Sequence, residues 1–162
     1  MSALPPQPEG TVRLADRLGG ALGAPVVVRC RGAGPVAGVL VDAGPDWLLV
    51  AEDAGREALV AGAALLAVTG LGRRTAVPPG GVRARLDLRR AVRALARDRS
   101  PVQVVLVDGG LLSGTVDRVG ADFLELAAHG LEDPRRAAVV RSVQAVPFDA
   151  VALVRTAPPG IG

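Results

Sequence analysis

The chain has 162 residues, of which 49% are apolar and 22% charged, and a further 21 are glycine. This apolar content is high for a soluble domain and excludes a disordered or acidic-tail protein. Aromatic residues make up only 2% of the chain, so its core must be built from valine, leucine and alanine. A single cysteine and a single histidine exclude an internal disulfide framework, a cysteine-based zinc cluster and most histidine-dependent catalytic sites.

Residues 1–10 contain three prolines and have neither a basic segment nor an apolar one. They predict a disordered tail rather than a secretory signal. The longest apolar run, Ala58–Val68, is much shorter than the roughly 20 residues that cross a bilayer. We therefore expect no membrane association and a cytoplasmic location.

Two helices are predicted, one before each group of strands. The first covers Thr11–Leu18 and is ended by a glycine pair. The second covers Val82–Arg99, between a Pro-Pro-Gly-Gly breaker and Pro101. Residues that precede proline avoid the helical conformation, which ends this helix before the following strand.

The groups of strands that follow these helices are related by an internal repeat. Residues 25–50 align without a gap on residues 101–126, with eight identical positions. The alignment resumes with residues 59–68 on 145–154, after an insertion of ten residues around 127–138. The repeat predicts two homologous domains of about 60 residues, which bury too little surface to be stable alone.

Five strands are predicted in the second repeat, and the first repeat follows the same pattern with shorter loops. The predicted strands cover 102–107, 112–119, 122–127, 138–146 and 151–154. Asp108-Gly109 fits a tight turn after the first strand, because glycine adopts the positive φ that such a turn requires. Gly114 marks a sharp bend or a close backbone approach within the second strand. Five short strands with one bent strand predict a small closed barrel.

The predicted protein is mainly β and consists of two tandem five-stranded small barrels, each preceded by a helix. Its parts are a disordered tail (1–10), the first barrel (11–72), an arginine-rich linker and helix (73–99), the second barrel (100–156) and a second tail (157–162). A single continuous sheet, or unlike folds in the two halves, would argue against this layout.

This order of elements resembles the Sm-like (LSm) family and the related SH3-like small barrels. In the second repeat, VVLVDGGLLSGTVDRVGADFLEL is similar to the first Sm motif, and VPFDAVALV resembles the turn between the family's last two strands. The resemblance implies tandem Sm-like barrels, single-stranded RNA binding and ring assemblies. The family's base-contacting Asp and Asn fall near Gly120 and Leu124, and its Arg-Gly pair is replaced by Pro-Phe-Asp at 147–149, so the framework alone carries over.

Arginine, the only basic residue type besides His129, is concentrated between the two repeats. Residues 73–99 hold nine arginines against Asp87 and Asp98, a balance of +7, whereas the chain on either side has a balance of −2. On a helix over 82–99, four of these arginines recur every four residues on the face opposite the apolar side chains. Guanidinium groups pair bidentately with phosphates, so this row predicts a nucleic-acid site. Its members are Arg85, Arg89, Arg93 and Arg97, with Arg90 beside them.

Two functions stay open at this point. The first is a non-catalytic protein that binds RNA, or less favourably DNA, through the arginine row. The second is a protein-interaction or scaffold module without nucleic acid, whose barrels assemble through their edges into a homo-oligomer. In the second case the basic helix docks on an acidic partner protein or on acidic residues of the first barrel. Those residues are Asp42, Asp46, Glu52, Asp53 and Glu57.

No catalytic residue, metal site or cofactor is predicted. His129 lies in the inserted loop without a cysteine nearby, and Cys30 at a strand end is interpreted as a small apolar filler. Trp47 and Phe123 occupy equivalent strand positions and are interpreted as core residues rather than as a stacking platform for bases. The sequence therefore predicts a protein that is not an enzyme.

Overall fold

The computed structural model describes residues 9–76, 86–128 and 142–156. In these ranges the protein is mainly β, with ten strands and two α-helices. The elements are α1 (Leu14–Gly20), β1 (Pro25–Cys30), β2 (Ala33–Ala43), β3 (Trp47–Ala51), β4 (Glu57–Ala61), β5 (Leu65–Thr69), α2 (Leu88–Leu95), β6 (Pro101–Leu106), β7 (Leu111–Val119), β8 (Phe123–Ala128), β9 (Val143–Pro147) and β10 (Val151–Thr156).

All ten strands belong to one open antiparallel sheet. Its order is β5-β1-β2-β3-β4-β10-β6-β7-β8-β9, which leaves β5 and β9 at the edges. The two separate closed barrels of the prediction are therefore not confirmed, and a single continuous sheet is the outcome named above as arguing against that layout. The halves join where β4 pairs with β10, with Leu153 opposite Val60 and Arg155 opposite Ala58. The backbone groups of a free strand edge pair readily with another strand, so two tandem sheets in one chain can merge.

The two halves of this sheet are nevertheless built alike. The first half has the order β5-β1-β2-β3-β4, and the second has the corresponding order β10-β6-β7-β8-β9. Gly38 lies opposite Val26 between β1 and β2, and Gly114 lies opposite Val102 between β6 and β7. Each long second strand also shifts its register at the corresponding position along its partner. The 76-residue offset of the sequence repeat thus extends to the pairing of the strands.

The glycines in the second strand of each half allow a close approach of backbones. A Cβ atom placed on Gly38 would lie 2.1 Å from the carbonyl oxygen of Ala51. The corresponding distance from Gly114 to the carbonyl oxygen of Ala127 is 2.2 Å. No side chain fits at these separations, so the close approach predicted at Gly114 is confirmed.

The predicted turn at Asp108-Gly109 is also confirmed, between β6 and β7. Gly109 has a φ of 92°, in the left-handed region that glycine adopts without strain. The Asp108 carboxylate accepts a hydrogen bond from the Gly110 N–H at 2.8 Å. Such local bonds from aspartate to the backbone stabilise tight turns. The inserted loop of the second repeat, at 129–141, lies outside the described residues.

The core is aliphatic, as the composition predicts. Its largest fully buried side chains are Leu40, Leu48, Leu124, Leu126 and Leu153. Trp47 is buried with them, as predicted, whereas Phe123 is only half-buried. Cys30 is buried at the end of β1, as predicted, and its burial raises the pKa of the thiol to about 11 against the opposing charge of Arg155. Burial of each of the five leucines named above contributes on the order of 1.5–3 kcal/mol to the free energy of folding.

Helix α2 is shorter than predicted, because it starts at Leu88 and ends at Leu95. Asp87 caps it, since the Asp87 carboxylate accepts the N–H of Arg90 at 2.9 Å. The carboxylate of Asp46 accepts the N–H of Leu88 at 2.8 Å and holds this end of α2 against the first half of the sheet. Neither helix in the described ranges has the length and apolarity to cross a membrane.

Candidate nucleic-acid interface

Helix α2 lies across the junction of the two halves. It contacts β4 of the first half and β7 of the second half. Leu88, Ala91 and Val92 are its buried side chains. Just before the helix, the Trp47 Nε1–H donates a hydrogen bond of 2.7 Å to the carbonyl of Leu86. These contacts fix the apolar side of α2 on the sheet and direct its opposite side outward.

A groove of about 670 Å³ lies between α2, the turn that follows it and β7. Five arginines and one aspartate supply its charged lining, so its formal charge is +4. We call it the arginine groove. Its charged residues are Arg90, Arg93, Arg97, Arg99, Arg118 and Asp117. Its other lining residues are Leu86, Ala94, Ala96, Val116 and Val119.

Three of the five predicted site residues line this groove. Arg90 and Arg93 are exposed on α2, and Arg97 is exposed in the turn after the helix. Arg89 is half-buried on α2 and does not line the groove, and Arg85 lies outside the described residues. The predicted row of arginines along one helix face is therefore wrong, because Arg89 lies on the helix but away from the groove, whereas Arg97 lines the groove from the turn after the helix ends at Leu95. The four-residue spacing applies only while the helix continues, so it does not determine where Arg97 lies.

Arg99 and Arg118 complete the groove, although the prediction did not include them. Arg99, four residues after the end of α2, has a φ of 53°, in the left-handed region that is unusual for a residue with a Cβ atom. Arg118 comes from β7, beside the register shift between Val116 and Arg118. A signal for it exists in the repeat, because the first half has Val41-Asp42 where the second has Asp117-Arg118. The arginine groove thus belongs to the second half alone.

The positive charge of the groove is little neutralised. The Arg118 Nε lies 3.9 Å from an oxygen of Glu125, and the Arg118 side chain is 73% exposed. Such a surface pair contributes at most about 1 kcal/mol and leaves the guanidinium available. None of the other four groove arginines forms an ion pair with another described residue.

The acidic residues of the first half have other partners. Glu52 accepts two hydrogen bonds from Arg155, of 2.6 and 3.2 Å, and this ion pair connects the first half to β10. Asp46 holds the start of α2, and the Asp42 carboxylate accepts the N–H of Ala43 at 2.9 Å. In the ranges that the structure covers, no acidic residue of the first half pairs with an arginine of the groove. Helix α2 does contact an acidic residue of the first half at Asp46, but through the backbone N–H of Leu88 and not through an arginine.

Neither the protein-family models nor the curated proteins searched contain a match to this chain. The functional argument therefore depends on the groove itself. Its guanidinium groups offer planar, paired donors, which suit the oxygens of phosphates and carboxylates. Within the described ranges, no cluster of three or more His, Cys, Asp or Glu side chains could hold a metal ion.

Proposed function

We propose that this protein binds nucleic acid without catalysis, and that the arginine groove holds the phosphates of a single strand. The observation that carries this proposal is the convergence of five arginines and one aspartate from α2, its following turn and β7. Arginine pairs bidentately with phosphate oxygens, and a row of such donors matches a polyphosphate chain better than a single anion. The resemblance to the Sm-like family favours RNA over DNA.

We also propose that each half of the sheet is a small Sm-like barrel. The equal strand orders, the equal registers and the close approach at Gly38 and Gly114 support this. A mid-strand glycine permits the strong bend that a small barrel requires. In this arrangement the two barrels form the rigid support, and α2 presents its arginines from the junction.

Binding of this kind depends steeply on salt, because phosphate contacts release counterions. If the five arginines each contact one phosphate of a single strand, the slope of log affinity against log salt is about −3.5. The affinity then falls about 100-fold between 50 and 200 mM salt. The contacts read no base edges, so the affinity should vary little with sequence.

The test is a polarisation titration of a fluorescein-labelled single-stranded RNA with the full chain at those two salt concentrations. Changing Arg93→Glu together with Arg97→Glu should weaken binding at least tenfold at the lower salt and reduce the salt slope by about 1.4. The matched control changes Arg29→Glu together with Arg56→Glu, which are exposed and outside the groove and alter net charge equally. The control should lose much less affinity.

Two results would refute the proposal. One is the absence of RNA and DNA binding by the unaltered chain at low salt, which would favour an acidic protein partner for the groove. The other is an equal loss of affinity in the groove variant and in the control, which would show that only net charge matters. The ratio of absorbance at 260 and 280 nm in a purified sample gives a first indication, since the chain has one Trp and no Tyr.

A further inference from the structure

Helix α2 does not fill all the space between itself and the first half of the sheet. A cavity of about 200 Å³ lies between α2, β3 and β4. We call it the tryptophan cavity. Cavities of about 150 Å³ in protein cores hold a benzene molecule, so this one has room for a small organic molecule. Its apolar lining comes from the sheet and from the helix, and includes Trp47, Leu49, Leu59, Ala91, Ala94 and Leu95.

The floor of the tryptophan cavity is a group of buried residues on β3 and β4. Leu49 lies opposite Leu59 in the pairing of these strands, so their side chains share one face of the sheet. Alternate residues of a strand also share a face, which places Trp47 beside Leu49 and Glu57 beside Leu59. The Glu57 side chain therefore lies on the same face as the apolar floor.

The helix side of the cavity carries small side chains. Ala91 and Ala94 line it there, and alanine has no atoms beyond Cβ that could fill the space. Protein interiors contain few voids larger than a water molecule, so a space of this size is unusual. Leu86 and Leu95 line the cavity and are only half-buried, which leaves one side of it open to solvent. A ligand can therefore enter without displacing α2.

The polar groups at the cavity differ in whether they have partners. The Trp47 indole N–H donates to the carbonyl of Leu86, as described above. The Thr156 hydroxyl accepts the backbone N–H of Glu57 at 2.9 Å and donates to the carbonyl of the same residue at 3.4 Å. The Glu57 carboxylate forms no hydrogen bond or ion pair with another described residue. The cavity thus combines apolar walls with one negative charge that has no partner in the described ranges.

We propose that the tryptophan cavity binds a small organic molecule that has an apolar body and one primary ammonium group. The body occupies the space over Trp47, Leu49 and Leu59, where its burial removes apolar surface from water. The ammonium group donates to the Glu57 carboxylate, and charge-assisted bonds of this kind are about twice as strong as neutral ones. The indole ring attracts the same positive charge. This binding site is additional to the arginine groove and does not depend on nucleic-acid binding.

The charge around the cavity has two opposing contributions. Residues 1–72, which supply the floor, have a charge balance of −2, and this favours a cation. The arginine groove shares Leu86 and Ala94 with the cavity, and its formal charge of +4 opposes a cation. Salt screens exposed charges over about 10 Å at 0.1 M, so the carboxylate that contacts the ligand outweighs the more distant groups. Lowering the charge of the groove should therefore leave the affinity for the ammonium unchanged or raise it.

The first experiment uses Trp47, the only tryptophan of the chain, as a reporter inside the proposed site. The full chain is titrated with benzylamine at pH 7 and constant ionic strength, and the tryptophan fluorescence is recorded. We expect a saturable change with a Kd on the order of 0.1–1 mM, within the limits for so small a ligand. Benzyl alcohol, which has nearly the same shape and no charge, should bind at least about tenfold more weakly.

The second experiment repeats the titration with variants. Glu57→Gln should weaken benzylamine binding at least about tenfold and leave benzyl alcohol binding unchanged. The matched control is Asp53→Asn, which removes an exposed carboxylate outside the cavity and should keep the affinity for benzylamine. Ala91→Leu should fill the cavity and abolish the binding of both ligands. Glutamine has the size of glutamate, so the Glu57 variant decides the question if the Ala91 variant fails to fold.

The groove variant Arg93→Glu with Arg97→Glu should bind benzylamine at least as tightly as the unaltered chain. A failure of RNA binding and a failure of this proposal are therefore distinguishable. Three results would overturn the proposal: no saturable change up to roughly 10 mM benzylamine, equal affinities for benzylamine and benzyl alcohol, or an unchanged affinity in Glu57→Gln. A saturable change with adenosine but not with benzylamine would also overturn it, and would assign the cavity to a base of the nucleic acid.

Discussion

Replacing Gly114 by alanine should destabilise the protein, although alanine is the better residue for most strands. The added Cβ atom would lie 2.2 Å from the Ala127 carbonyl oxygen and 2.9 Å from its carbon. An unstrained contact needs about 3.5 Å, so β7 and β8 would have to separate by about 1 Å. Both are interior strands of the sheet, and a backbone atom cannot rotate away as the end of a side chain can.

The expected cost follows from two opposing effects. Overpacking of this kind costs about 1–3 kcal/mol. The lower backbone entropy of unfolded alanine relative to glycine returns about 0.5–1 kcal/mol. A clash of 2.2 Å with a backbone atom belongs in the upper half of that overpacking range, so we expect Gly114→Ala to lower the free energy of unfolding by about 1–2.5 kcal/mol, which lowers Tm by roughly 2–10 °C in a chain of this size. Gly38→Ala should behave in the same way, because its Cβ meets the Ala51 carbonyl oxygen at 2.1 Å.

Urea denaturation followed by circular dichroism measures this change. Gly34 supplies the matched control, because it lies in β2 with no atom within 4 Å of an added Cβ and has no left-handed φ. Gly34→Ala should leave the stability unchanged or raise it by up to about 1 kcal/mol. The reasoning fails if Gly114→Ala is as stable as the unaltered chain, or if Gly34→Ala is destabilised equally.

Two further predictions concern other residues at and near the junction. Replacing either Glu52 by Gln or Arg155 by Met should cost about 1.5–3 kcal/mol, because each change removes a charged partner from a partly buried bidentate pair. The loss of unfolding free energy in the double variant should be smaller than the sum of the losses in the two single variants, because the two side chains interact directly. Equal values for the double loss and that sum, measured by urea denaturation, would contradict the interaction. Burial raises the pKa of Cys30 from 9.0 to about 11, so the thiol should react slowly with a thiol reagent at pH 8 until urea unfolds the chain. The folded state binds the thiol proton more tightly than the unfolded state. The contribution of Cys30 to the free energy of unfolding is therefore constant below pH 9 and decreases as the pH rises from 9 toward 11. A free energy of unfolding that increases with pH in this window would contradict the burial of the thiol.

The arginine site was predicted only in part, and the reason is geometric. A four-residue spacing places side chains on one face only while the helix continues. The helix starts after the cap at Asp87 and ends at Leu95, so Arg97 reaches the groove from the turn that follows it. Arg118 is distant in sequence, and only the packing of α2 against β7 brings it to the same groove.

Local sequence was sufficient for the elements that depend on local backbone chemistry. Asp108-Gly109 forms the predicted turn, and Gly114 marks the predicted close approach, because only glycine tolerates those conformations and distances. Alternating valines and leucines likewise identify the strands and the aliphatic core, since one face of a strand must be buried.

Tertiary structure alone decided how the two repeats combine. The pairing of β4 with β10 turns two groups of five strands into one sheet. Backbone N–H and C=O groups make this pairing, and they are the same in every residue except proline, so side-chain patterns do not identify the partner of a strand edge.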